Sequence, residues 1–357
     1  MTAPAVTVAR LPGRSAVRVG AVSVVVRPRA STVTAVMLLL AVLAGCVSVS
    51  VGDYLVPLPE VVRALAGEGD RGSLFVVREL RLPRALVGLL VGAAFGLAGA
   101  IMSSVVRNPL ATPDVVGVTA GASAAAVGVL LAGWPMPLPL AALGGGLLVA
   151  VLVGALSWRD GFTGPRLVLV GIGLGAAASA LTSFLLVRAE ITEAQRAVVW
   201  LTGSLNGRGW EHVRPVGLAV LVLGPLALVL GRSLSGLRLG DDVARGLGVR
   251  VTPARVGLVA VAVALAAVAT SSAGPIAFVA LVAPQIALRL ARTPGPPLAA
   301  SAAAGALLVV AADLVARRGL SVTGLASAEL PVGAVTALVG SPVLLWLLRR
   351  STGGRTT

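Results

Sequence analysis

Continuous apolar runs about the length of a membrane-crossing helix recur along this chain, as in 216–231 (VGLAVLVLGPLALVLG) and 256–270 (VGLVAVAVALAAVAT). About 20 such residues cross a hydrocarbon core of roughly 30 Å as a helix. No water bonds the backbone there, so only helices or a closed barrel can span it. Barrel strands alternate their faces, and these runs do not. The reading is an all-α polytopic membrane protein, and a sequence 57% hydrophobic and 12% charged agrees. The runs number about ten, between residues 31 and 350. Flanking them are a basic tail at 1–30, expected to be cytoplasmic, and a short tail at 351–357.

One long polar segment interrupts the apolar ones, LSGLRLGDDVARGLGVRV at 234–251. Within a connection at 232–252 it must lie outside the bilayer. Asp241 and Asp242 stand where a helix would begin, and acids there complement the positive end of the helix dipole. Arg245, four residues after Asp241, is expected to pair with it. Gly248, following Leu247, would close the helix after about two turns. That makes either a handle by which an outside partner moves the membrane part, or a solvated connecting loop.

Ten spans put both termini on one side, and the charges choose the side. With the termini inside, 18 of the 29 arginines but only 4 of the 14 acids fall in the cytoplasm, as the positive-inside rule requires. The 234–251 segment is then cytoplasmic. Arg81 and Arg84 of RLPR, with Arg317 and Arg318, fall outside against this bias. They are either snorkelling anchors or an anion-seeking surface.

What is missing excludes whole classes. Every basic residue other than His212 is Arg, so no GxxxxGK[ST] phosphate loop and no Lys Schiff base can exist in this chain. One Cys and one His leave no disulfide and no His-rich metal or triad chemistry, and neither a cofactor nor a metal is expected. The net charge of +15 flanks apolar runs, which points to lipid and not to nucleic acid. LAGC at 43–46 resembles a lipoprotein cleavage site, but cleavage would remove the first span. An ion-coupled transporter usually carries acids or His at mid-membrane, and these spans are nearly free of them. An intramembrane enzyme has almost nothing from which to build a site.

Several stretches together resemble the permease subunits of bacterial ABC importers for ferric siderophores, vitamin B12 and haem. In order they are RLPR, GAAFGLAGA, RNPLATPDVVGVTAGAS, WLTGSL, LGDDVARGLGV, AGPIAFVALVAPQIALRL, AADLVAR and ELPVGAVTALVGSPVLLWLL, from about residue 50 to 350. The iron–enterobactin type is the most similar. The resemblance implies a type II ABC-importer permease fold of ten helices per subunit in the plasma membrane. It implies a second permease subunit (a copy or a paralogue), two cytoplasmic ATPase subunits and an outer substrate-binding protein. The ATPase-coupling segment of that family matches Leu239, Gly240, Asp241, Asp242, Ala244, Arg245, Leu247 and Gly248. Its outer docking arginines match Arg81, Arg84 and Arg317. Its cytoplasmic gate matches the turn at Thr163, Gly164 and Pro165. Departures are Ser103, where the family often has Gln, Gln285 in place of the His after Pro284, and RTPGPP where a charged loop is usual.

Overall fold

Residues 6–11, 14–19, 22–52, 56–158, 164–323 and 329–352 are described by the computed structural model. The tail before the first span is not featureless. Three short strands, β1 (Val6–Leu11), β2 (Arg14–Val19) and β3 (Val22–Val26), form an antiparallel meander that pairs Val6 with Val19 and Ser15 with Val26. Alternating valines and small polar residues suit such ladders. Among the described residues, every regular element after it is a helix.

Pro28 sits at the first turn of α1 (Pro28–Ser50), where a missing N–H is harmless. The LAGC stretch lies inside this helix. A polar excursion follows as α2 (Leu58–Ala66), ended by Gly67 at φ 94°. Next, α3 (Arg71–Phe75) continues through a π-helical segment, Val76–Arg81, into α4 (Leu82–Val106). A 3-10 turn at Pro113–Val116 leads to α5 (Val118–Leu131). The chain then runs through α6 (Leu138–Ser157), α7 (Gly164–Arg188), the short surface helix α8 (Ile191–Leu201) and α9 (Trp210–Arg238). The six-residue α10 (Asp241–Gly246) precedes α11 (Val251–Ala273), α12 (Val279–Ala291), α13 (Leu298–Thr323) and α14 (Val332–Thr352).

Seven helical stretches among the described residues are long and apolar enough to cross a membrane, and three shorter apolar helices join them. The shorter ones are Val118–Leu131, Val279–Ala291 and Val332–Trp346. At the centre stand α4 and α11, whose apolar windows are 78% and 72% buried, against 11% for α9. Exposed apolar faces on α6, α7 and α9 are what lipid requires of a polytopic protein.

Small residues let the backbones of α4, α12 and α13 touch. A Cβ built on Gly99 would stand 1.8 Å from the Ala280 carbonyl oxygen, and one on Gly92 would stand 2.3 Å from that of Gly305. This is the close approach that glycine permits between membrane helices, where lipid supplies no hydrophobic drive. Gly99→Val should therefore cost about 1–3 kcal/mol or more by overpacking. Gly144→Ala, with nothing within 4 Å, should leave stability equal or higher. Thermal unfolding in one detergent checks the pair; equal melting temperatures would contradict the packing.

Candidate functional site

Polar structure concentrates at the two ends of α4. At 25 residues and 1.5 Å per residue this helix is about 37 Å long, so its ends lie on opposite faces of a bilayer.

At the C-terminal end, α4 stops at Arg107, which takes a left-handed conformation (φ 56°) and turns its side chain to Asp241. The same carboxylate oxygen accepts from Arg255 of α11 at 2.8 Å. Asp241 thus ties the first turn of α10 to two central helices. Burial alone would raise its pKa, but the hydrogen bond and charge of Arg255, then those of Arg107, hold the carboxyl below its ordinary value. Gly240 (φ 111°) makes the turn into α10, and Gly248 (φ 80°) follows its end. Val249 N–H closes back on the Ala244 carbonyl at 2.9 Å. Ala244 is fully buried, close to Gly236 of α9.

The expected Asp241–Arg245 pair does not form. Arg245 instead binds Asp242 at 2.7 Å, because Asp241 points inward to two other arginines while Asp242 stays in solvent. That outer pair, 61% and 98% exposed, adds little. Leu239, Val243 and Leu247, spaced by four residues, are 64%, 49% and 63% exposed. Val243 and Leu247, one helical turn apart at α10, give it an exposed apolar edge, and Leu239 stands before it at the end of α9, across the turn at Gly240.

At the N-terminal end of α4 the arginines have partners within the chain. Asp313 of α13, 1% exposed, accepts from Arg84 at 2.9 Å and from Arg317 at 2.9 Å. Arg84 also reaches Glu329 at 3.0 Å. Arg81 donates to the carbonyls of Val49 and Ser50, Arg317 to those of Ser48 and Val51, and Arg318 to that of Gly52. Those of Ser48, Val49 and Ser50 are the last carbonyls of α1, which a helix leaves unsatisfied and its dipole makes negative, and Val51 and Gly52 follow directly after it. Capping explains why arginines stand against the charge bias here. The five arginines 81, 84, 208, 317 and 318 line one cavity of about 560 Å³ with three glutamates, Glu79, Glu211 and Glu329.

Of the gate turn, Thr163 lies outside the described residues. Gly164 opens α7, buried with its Cβ position 3.4 Å from Val106 Cα, and Pro165 is exposed. Asp313, Glu329, Arg107, Arg208 and Arg255 escaped sequence reasoning as site residues. RLPR and AADLVAR carried the arginines, and the i, i+4 spacing of Asp313 and Arg317 inside AADLVAR was a readable signal, but no local pattern reveals that Arg84 meets Asp313 and Glu329 more than 200 residues later.

Comparison with known proteins places this architecture. The FecCD transport family matches residues 38–350. Ferric enterobactin transport system permease protein FepG of Escherichia coli (strain K12) is 41% identical over 309 residues, 86% of this chain and 92% of that protein. Achromobactin transport system permease protein CbrC of Dickeya dadantii (strain 3937) is 41% identical over 322 residues, 88% of this chain and 89% of that one. A solved metal-chelate type ABC transporter in an inward-facing conformation superposes with a TM-score of 0.79 at 27% identity, covering 90% of this chain and 99% of that one.

Proposed function

Because this chain belongs to the FecCD transport family, we propose that it is the permease subunit of an ABC importer carrying an iron–siderophore chelate across the bacterial plasma membrane. The observation that carries the mechanism is α10, a short helix fastened by Asp241 to both central helices while it presents Val243 and Leu247 outward. An ATPase subunit that grips Leu239, Val243 and Leu247 moves α4 and α11 with α10. The α10 end is then the cytoplasmic one, with both termini beside it. All ten apolar helices cross, the three short ones included, in the type II importer arrangement.

A second permease subunit, a copy or a paralogue, completes the path. The turn at Thr163, Gly164 and Pro165, of which Gly164 lies against the end of α4, gates the cytoplasmic exit. The substrate-binding protein docks at the opposite end, on the cavity that Arg81, Arg84 and Arg317 line. ATP is hydrolysed in the partner subunit. Ion coupling is disfavoured because the buried acid of these spans, Asp313, is clamped by two arginines and not free to exchange a cation. The names of the relatives favour a siderophore over vitamin B12 or haem.

Two measurements test the reading. A deletion strain should recover uptake of a radiolabelled ferric siderophore only when this chain and its ATPase are both supplied. The purified chain alone should hydrolyse no ATP, since it has no Lys for a phosphate loop. Uptake without any ATPase, or saturable hydrolysis by the isolated subunit, contradicts it.

A further inference from the structure

Beside the anchor of α10 lies a second cavity, of about 270 Å³, between the ends of α4 and α9 and the turn from α12 to α13. Arg107, Arg238, Ser103, Ser104 and Gln285 line it with the Pro294–Pro296 turn, and among the described residues no carboxylate does. Arg238 is the unusual member. Its Nη2 donates to Ser104 Oγ at 2.7 Å and to the Pro296 carbonyl at 3.1 Å, both neutral acceptors. Its Nε is buried without a partner. The nearby charge acting on it is another cation, Arg27. The turn admits the guanidinium closely, since a Cβ on Gly295 would fall 2.1 Å from Nη1.

A cation drawn out of water beside a second cation needs a counter-charge. Arg107 already has Asp241 on its other side, while Arg238 makes no ion pair among the described residues. Ser103, Ser104 and Gln285 are 7%, 3% and 3% exposed, so the polar floor is built and not incidental. Gln285 gives one amide hydrogen to the Pro109 carbonyl at 3.4 Å and keeps the other. The site therefore lacks one anion. Guanidinium matches phosphate oxygens two at a time, and the cavity opens at the end of two membrane-length helices, where lipid phosphates sit.

We propose that this cavity binds a phosphate group, with Arg238 and Arg107 as its cations and the free amide hydrogen of Gln285 as a further donor. The group comes from an anionic phospholipid headgroup or from free phosphate, and the site takes the same chemistry whichever membrane face carries α10. Holding it there would brace the ends of α4 and α9 on either side of the α10 anchor.

The full chain is tested in two arms. In the first, native mass spectrometry compares phosphatidylglycerol with phosphatidylcholine. Retention of one phosphatidylglycerol per chain, falling about tenfold in Arg238→Gln as expected for losing a charge-assisted hydrogen bond, identifies the lipid source. In the second, the protein in phosphatidylcholine nanodiscs is melted with and without inorganic phosphate. A rise in melting temperature that Arg238→Gln abolishes, without phosphatidylglycerol retention, identifies free phosphate. Arg238→Lys, which keeps the charge but not the fork, should bind in between and serves if the Gln variant does not insert. An Arg214→Gln control should match the parent. Wild-type protein that shows neither phosphatidylglycerol preference nor stabilisation by phosphate overturns the proposal, as does undiminished binding by Arg238→Gln.

Discussion

Asp313→Ala should lower the stability of the chain by about 3–5 kcal/mol, the usual result of removing one partner from a buried ion pair. The carboxylate is 1% exposed and receives both Arg84 and Arg317, so its loss leaves two desolvated guanidinium groups facing each other. Arg84 keeps Glu329 and Arg317 keeps the end of α1, which limits the damage without neutralising it. The triple change Asp313→Leu, Arg84→Met, Arg317→Met should recover much of the loss, because well-packed apolar groups often replace a buried ionic cluster without penalty. Thermal unfolding of the purified variants decides it. If Asp313→Ala melts with the wild type, the cluster is not a structural element. The triple variant also separates folding from docking: it should be stable yet bind the substrate-binding protein weakly.

The second large effect lies at the other end. Ala244→Pro should abolish uptake while the protein inserts and melts nearly as before. Proline removes the Ala244 N–H that bonds the Gly240 carbonyl at 2.9 Å, and its ring must fit where Ala244 is fully buried. The local cost is about 3 kcal/mol, enough to unfold a six-residue helix but not the bundle. Asp241→Asn should reduce uptake less severely, since an amide can still accept from Arg255. The pH dependence of this contact follows from the lowered pKa of Asp241. Its stabilisation is complete above the ordinary Asp value of about 3.9 and is lost as pH falls through the lower folded value. No loss of uptake from this group is expected between pH 5 and 8. A normal rate with Ala244→Pro would falsify the handle.

The membrane helices were legible because each apolar run reports burial residue by residue. Gly240 was marked only by the family resemblance, whereas Asp241, Asp242 and Gly248 were legible too, because a helix start and stop are local signals that need no neighbour. Arg245 was assigned to the wrong acid for the same reason. Spacing of four residues says which groups share a face, not that Asp241 would turn inward to Arg107, 134 positions earlier. The arginines of RLPR stood out by the side the charge bias gives them, yet the work of Arg81 as a cap on α1 and of Arg84 as the partner of Asp313 needed the tertiary structure. Strands before Pro28 went unread because a short basic tail offers no core to reveal its alternation. Two of the apolar helices, α5 at 14 residues and α12 at 13, are also shorter in the structure than the apolar runs suggested, since turns at Pro113–Gly117 and after Gly274 precede them.

The capping of α1 has a consequence for how the protein is made. Ser48 emerges from the ribosome early, whereas Arg317, which binds its carbonyl, follows 269 residues later. At about 5–20 residues per second that interval is on the order of ten seconds to a minute. Throughout it, the end of the first helix must keep its carbonyls hydrated at the membrane surface or borrow Arg81 as a temporary companion. The end of α1 is thus made long before its last fastening to α13. A chain truncated before α13 should leave it loosely seated and open to membrane proteases.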